Sequence, residues 1–193
     1  MPVNDISSLV AFAKNHPDEL SFASSGIGTS IHLSGELFAQ LTKTKIRHIP
    51  YKGRAQAIPD LIGGRVQISF DNLTSALPLI KSGDLKALGV TSSQRSTYAP
   101  DIPTIAESSI PELKQFNVTS WFSLMGPAGM SKDEIQRIAT EVKRVFQLPE
   151  VKDKLVSMGL DPNPQGPQAL NKLIQAESKK YSKLIKEIGI TAE

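Results

Sequence analysis

The sequence has no cysteine, a single tryptophan and three histidines. Without cysteine there is neither a disulfide framework nor a thiolate zinc site, although the absence leaves an oxidising compartment open. The histidines, His16, His32 and His48, all lie early, with none after residue 48. A serine hydrolase of the Gly-x-Ser-x-Gly kind would need its histidine later in the chain, and three isolated histidines argue against a metal site. No run approaches the ~18 apolar residues that a membrane-spanning helix requires. The opening MPVNDISSLVAFAKNHP places no basic region before an apolar one, so no secretory signal is expected in it.

Charge is modest, with 22 Lys and Arg against 19 Asp and Glu, a formal net charge of +3. The basic residues are scattered, except for Lys179, Lys180, Lys183 and Lys186 at helical spacing. That group reads as a solvated helix face, so no nucleic-acid partner is expected. What is present fits an ordinary globular protein: 193 residues, 39% hydrophobic and 21% charged. The length suits one large domain, or one domain and part of a second.

The pattern alternates short apolar strands with helices. Asn4 or Asp5 caps a first helix that carries Ile6, Leu9, Val10 and Ala13 and stops at His16-Pro17. Strands are predicted at Leu20–Ser24, Lys45–Ile49, Val66–Phe70 and Leu85–Val90. Helices are predicted between them: one bearing Ile31, Leu33, Leu37, Phe38 and Leu41, then Ala55–Ile62 and Ser75–Lys81. Alternation across short loops indicates an α/β fold, a parallel sheet with helices on both faces. Gln94–Gln115, with Pro100, Pro103 and Pro111, reads as an extended connection with one short helix near Thr104–Ser108. Val118–Met125 reads as a fifth strand. Beyond it the chain is helical. Ser131 with Glu134 forms a capping-box pattern for a helix to about Gln147; a short helix, Val151–Met158, stops at Gly159; a long one covers about Pro167 to Glu187.

Ser24-Ser25-Gly26-Ile27-Gly28-Thr29-Ser30 joins a buried strand to a helix, where open α/β sheets bind ligands. Its glycines admit close backbone approach, and the helix start offers unpaired amides and a positive dipole end. The stretch is either a small carboxylate or phosphate cradle or an ordinary tight turn capped by Thr29 or Ser30. It lacks the lysine of a P-loop and the third glycine of the dinucleotide fingerprint, so no nucleotide cofactor is expected. Pro50-Tyr51-Lys52-Gly53 and Phe70-Asp71-Asn72 follow strands at the same sheet edge. Tyr51 and Asn72 there are candidate hydrogen-bonding groups, and Asp71 a candidate for an amine or a bridging water. Against this, Lys52 reads equally as a solvated charge and Asp71-Asn72 as a helix cap.

SFASSGIGTSIHLSGELF (21–38), HIPYKGRAQAIPDLIGGRV (48–66) and FDNLTSALPLIKSGDLKALGVTSSQRSTYAPDIPTIAE (70–107) resemble the solute receptors of tripartite tricarboxylate transporters, the Bug receptors. SWFSLMGPAGMS (120–131) and PEVKDKLVSMGLDP (149–162) are similar too. The resemblance implies a two-lobed periplasmic receptor that binds small carboxylates without metal, cofactor or catalysis and hands them to membrane transporter subunits. It puts Ser25, Gly26, Gly28, Thr29 and Ser30 on the ligand, with Tyr51, Lys52, Gly53 and Asp71 lining the cleft. It also implies that 1–120 is the ligand-loop lobe. Residues 121–193 would then be the crossover strand and C-terminal helices of an incomplete other lobe, whose first βα region is missing. An incomplete lobe leaves the apolar face of Ile135, Ile138, Val142, Val145 and Phe146 to be covered, which predicts a homodimer. The alternatives are a remnant that oligomerises without binding tightly, and an α/β hydrolase.

Overall fold

The computed structural model describes residues 1–158 and 160–190, so the expected stop at Gly159 lies outside the described residues. Asp5 does cap the first helix, α1 (Ile6–Asn15): its carboxylate accepts the Ser8 amide at 2.7 Å while Ser8 Oγ accepts the Asp5 amide. Three strands follow with helices between them, β1 (Ser21–Ser24), α2 (Ser30–Thr42), β2 (Arg47–Pro50), α3 (Arg54–Ile62), β3 (Ile68–Ser69) and α4 (Leu73–Lys81). All strand pairs are parallel, in the order β2-β1-β3, which puts β1 in the centre. Parallel neighbours need a crossover, and α2 and α3 supply it.

Because side chains alternate along a strand, β1 addresses both faces. Ala23 packs with Ala57 of α3 and Val66, joined by Ile49 and Tyr51. On the opposite face the fully buried Phe22 lies against Gly35 of α2, and the rings of Phe38, Phe70 and Phe116 continue that core. Phe22, Phe38 and Phe116 are buried, and each contributes about 1.5–3 kcal/mol over its exposed state. The fold is thus α/β with a parallel sheet.

Two expected strands do not form. Leu85–Val90 makes only an isolated parallel bridge, Val90 to Thr104. The segment beside it carries Pro100 and Pro103, and proline cannot donate to a ladder. Val118–Met125 is also no strand: the Val118 amide reaches Thr91 O at 2.9 Å, but no ladder follows among the described residues. The short helix near Thr104 exists as one 3₁₀ turn, Ile105–Glu107, under a Thr104–Glu107 capping box, and a second turn, Pro111–Leu113, was not expected.

The chain divides into two compact units, 1–120 with the chain end from Leu184, and 121–183. The second unit contains α5 (Lys132–Val145), α6 (Pro149–Ser157) and most of α7 (Pro167–Ile188). Ser131 caps α5 in the expected box with Glu134. The last turns of α7 belong with the first unit, where Leu184 is buried and Gln40 Nε2 donates to Glu187 at 2.6 Å. No described residue of 121–183 is buried. Phe122 is 80% exposed, and Leu124, Met125, Ile135, Ile138 and Val145 are exposed as well.

Candidate functional site

The loops after β1, β2 and β3 all leave the carboxyl end of a parallel sheet, so topology alone gathers them at one edge. Hydrogen bonds tie them together. The Tyr51 amide donates to Ser24 O at 3.1 Å, joining the first two loops. Ser30 Oγ lies 3.1 Å from Ser120 Oγ, which donates to Asn72 Oδ1 at 3.3 Å, so the helix start after β1 meets the loop after β3. Ser120 was not anticipated. Nothing in its sequence neighbourhood marks it, since its partners lie 90 and 48 residues away.

The glycine loop needs its glycines: Gly26 has φ +140° and Gly28 φ +77°, backbone that other residues adopt at a cost. Thr29 is the N-cap of α2, its Oγ1 accepting the His32 amide at 3.4 Å and donating to Gly26 O at 2.8 Å. Of the four first-turn amides, those of His32 and Leu33 are thereby met by Thr29. The amides of Ser30 and Ile31 have no acceptor within the helix. Gly28 is different, because its amide donates inward to His32 Nδ1 at 3.0 Å.

The flanking candidates are arranged less uniformly. Tyr51 turns its hydroxyl to Asp60 of α3 at 2.9 Å; burial, then this bond, pushes the phenol's pKa up. The bonds from Tyr51 and Arg65 hold the Asp60 carboxyl below its usual range. Lys52 is exposed, and its amide donates to Gln56. Gly53, at φ +101°, opens α3 without a side-chain cap. Asp71 has a nearly buried carboxylate that is fully engaged, receiving Arg54 Nε on one oxygen and the Asn72 amide on the other at 2.9 Å. Arg54 also donates to Ser75 O at 2.7 Å. The expectation that Asp71 meets a ligand amine therefore has a competitor in Arg54, 17 residues away, a pairing with no local signal in the sequence.

Two of the three histidines are not isolated. His32 and His48 stack with ring centroids 3.8 Å apart and planes 15° from parallel, and Phe22 stacks on His48 at 4.8 Å. Burial, and then the neighbouring His32, lower the His48 pKa to about 4. Ligand atoms of His32, Glu36 and His48 lie within 4.8 Å of one another. A metal sits on an imidazole lone pair in the plane of the ring, and face-to-face rings do not aim two such lone pairs at one point. The cluster is built instead for hydrogen bonding. His16 is apart from it, stacked on Phe12 and 3.3 Å from Glu19.

No helix among the described residues is long and apolar enough to cross a membrane. Comparison with known proteins gives the family. The sequence profile described as "Tripartite tricarboxylate transporter family receptor" matches residues 1–190. Among solved structures, an R. palustris protein solved with adipate superposes with a TM-score of 0.86 at 32% identity, over 99% of this chain and 63% of its own. The periplasmic binding protein BugD gives 0.79 at 29%, over 100% and 64%. MatC from Rhodopseudomonas palustris, solved with bound malate, gives 0.78 at 27%, over 95% and 63%. The chain spans about half the length of the curated relatives it matches, 55% of one and 57% of another. Its match along almost every residue, in a fold shared with periplasmic binding proteins, makes this chain a member of the tripartite tricarboxylate transporter receptor family, whose members are binding proteins and not enzymes.

Proposed function

We propose that this chain carries the carboxylate-binding loop of a receptor that delivers small carboxylates to a tripartite tricarboxylate transporter. One observation supports this above the rest: Ser30 and Ile31 present first-turn amides without a helical acceptor, beside the Ser30, Ser120 and Asn72 side chains. In this reading Ser25, Gly26, Gly28, Thr29 and Ser30 line the seat of a carboxylate, Gly26 and Gly28 by shaping the backbone while their amides stay with Ser24 and His32, and Tyr51, Lys52, Gly53 and Asp71 stand on the flanking loops. Lys52 adds an exposed positive charge, whereas Asp71 acts by holding Arg54. The adipate and malate of the solved relatives support a small carboxylate as the ligand class. Residues 1–120 form the ligand-loop lobe and 121–193 belong to the other lobe except where the end of α7, from Leu184, joins the first unit, and the site of action is the periplasm.

Thermal shift with malate, adipate, citrate and sulfate tests the reading. A ligand at a hundred times its Kd raises stability by about 2.7 kcal/mol. Gly28→Val meets open space but forces a β-branched residue to φ +77°. It is expected to remove that shift while leaving the circular dichroism spectrum unchanged. Equal shifts in both proteins would defeat the proposal.

A second reading concerns partners. The absence of any buried residue among the described positions of 121–183 leaves the α5 face of Ile135, Ile138 and Val145 without cover. A second copy of the chain is the proposed cover, the exchange of C-terminal helices being a low-cost route to it.

A further inference from the structure

The face of β1 that carries Phe22 also carries Ser24, and in parallel register His48 of β2 stands beside Phe22. His32 lies four residues beyond Gly28, on the first turn of α2. These placements build a pair of supports beneath the glycine loop. The Gly28 amide donates to His32 Nδ1 at 3.0 Å, and His32 Nε2 lies 3.5 Å from a Glu36 carboxylate oxygen. His48 Nε2 lies 2.6 Å from Ser24 Oγ. That hydroxyl accepts the Gly26 amide at 3.2 Å and faces Gly26 O at 3.1 Å.

The proton inventory permits one assignment that satisfies every contact. His32 must offer a lone pair at Nδ1 to take the Gly28 hydrogen, so its single proton is on Nε2, toward Glu36. Ser24 has one hydrogen, and giving it to Gly26 O leaves only lone pairs for His48. His48 therefore carries its proton on Nε2 and donates to Ser24. Both rings are neutral in this arrangement. A proton added at His32 Nδ1 would point at the Gly28 N–H and replace an attraction by a repulsion.

We infer that His32 is a positioning residue that holds the glycine loop in its binding shape through an unprotonated Nδ1, with His48 and Ser24 fixing the loop's other end. The binding arm of this inference rests on the carboxylate reading; the clamp itself does not. The titratable groups in contact with His32 are Glu36 of its own helix and His48 of β2, while β1 contributes the Phe22 ring. His32 is itself 4% exposed, so bulk water does not replace a lost contact.

Asparagine separates clamp from mere packing, because its side-chain oxygen falls near the position of Nδ1 and does not titrate. Glutamine reaches instead toward the Nε2 position. Nitrogen-15 NMR of the full chain without ligand is expected to show His32 protonated on Nε2. Acidification far enough to put a second proton on the His32 ring should move the Gly28 amide signal, which should stay still over the same range in His32→Asn. Sulfate, whose charge is constant over that range, and malate serve as binding probes. As that proton is taken up, affinity for sulfate should fall about tenfold in the native protein, the worth of one hydrogen bond, stay flat in His32→Asn, and be lost in His32→Gln. A His32 proton on Nδ1, or a Gly28 signal that moves alike in the native and Asn proteins, overturns the clamp. Should His32→Asn fail to fold, the tautomer of the native protein decides alone. If neither probe binds the native protein, the carboxylate reading fails and the ligand-free spectra still judge the clamp.

Discussion

Gly35 lets the ring of Phe22 lie directly against the backbone of α2. A Cβ at Gly35 would overlap Cε2, Cδ2 and Cζ of that ring, and Phe22 is fully buried with His48 stacked on it. The ring cannot retreat, so the helix that carries Thr29, Ser30 and His32 is held to the sheet by the lack of one methyl group.

Gly35→Ala is accordingly expected to destabilise the chain by about 1–3 kcal/mol, the usual cost of overpacking a filled core, despite alanine's better helix propensity. Urea unfolding measures this. A neutral or stabilising outcome would mean that Phe22 has room the packing does not reveal.

Arg54 and Asp71 predict a charge effect. Removing the guanidinium in Arg54→Met leaves a carboxylate with 8% side-chain exposure unpaired, next to loops proposed to receive anions. Stability should fall by about 2–3 kcal/mol, as for a lost hydrogen bond to a charged group, and carboxylate affinity should fall too. Adding Asp71→Asn to that variant should restore much of the affinity by removing the negative charge. A double-mutant cycle by denaturation and calorimetry checks both, and purely additive effects would count against the coupling.

The pH dependence of stability has a definite sign at His48. Its folded-state pKa, about 4, lies below the ordinary 6.5, so on acidification the unfolded chain takes the proton first. Stability should decline as pH falls from about 6.5 to about 4. His48→Gln, which keeps a donor toward Ser24 and does not titrate, should flatten that part of the profile. Glu107 acts in a lower window: its bonds with Arg95 and the Thr104 amide depress it from 4.5 to about 2. Its contribution is full above about 4.5 and lost toward pH 2. Thermal melts across pH separate the two, and an unchanged slope in His48→Gln would refute the assignment.

The uncovered face of the second unit makes the oligomeric state informative. Light scattering at micromolar concentration is expected to give a dimer, with emission from Trp121, the chain's single tryptophan, shifting on dilution. Ile138→Lys on α5 should shift the equilibrium to monomer, since it places a charge in the proposed contact. A stable monomer with cooperative unfolding would instead show that these helices need no second copy.

What the sequence determined by itself was local. Asp5 and Ser131 announce helix starts because a cap is made by residues three positions apart, and each forms its capping bond. Three of the predicted strands and the parallel α/β order were legible for a similar reason, since apolar alternation and turn residues lie within a few positions of one another. The family was legible because its motifs run through the chain in order. The fourth and fifth strands were misread: an apolar run specifies extended chain, but a ladder depends on a neighbour far away in sequence. Tertiary structure alone decided that Arg54 takes Asp71, that Ser120 joins Ser30 and Asn72, and that His32 and His48 stack beneath the glycine loop. Those pairings arise where crossovers bring distant strand ends to one edge, and side-chain identity carries no record of that approach until the sheet has formed.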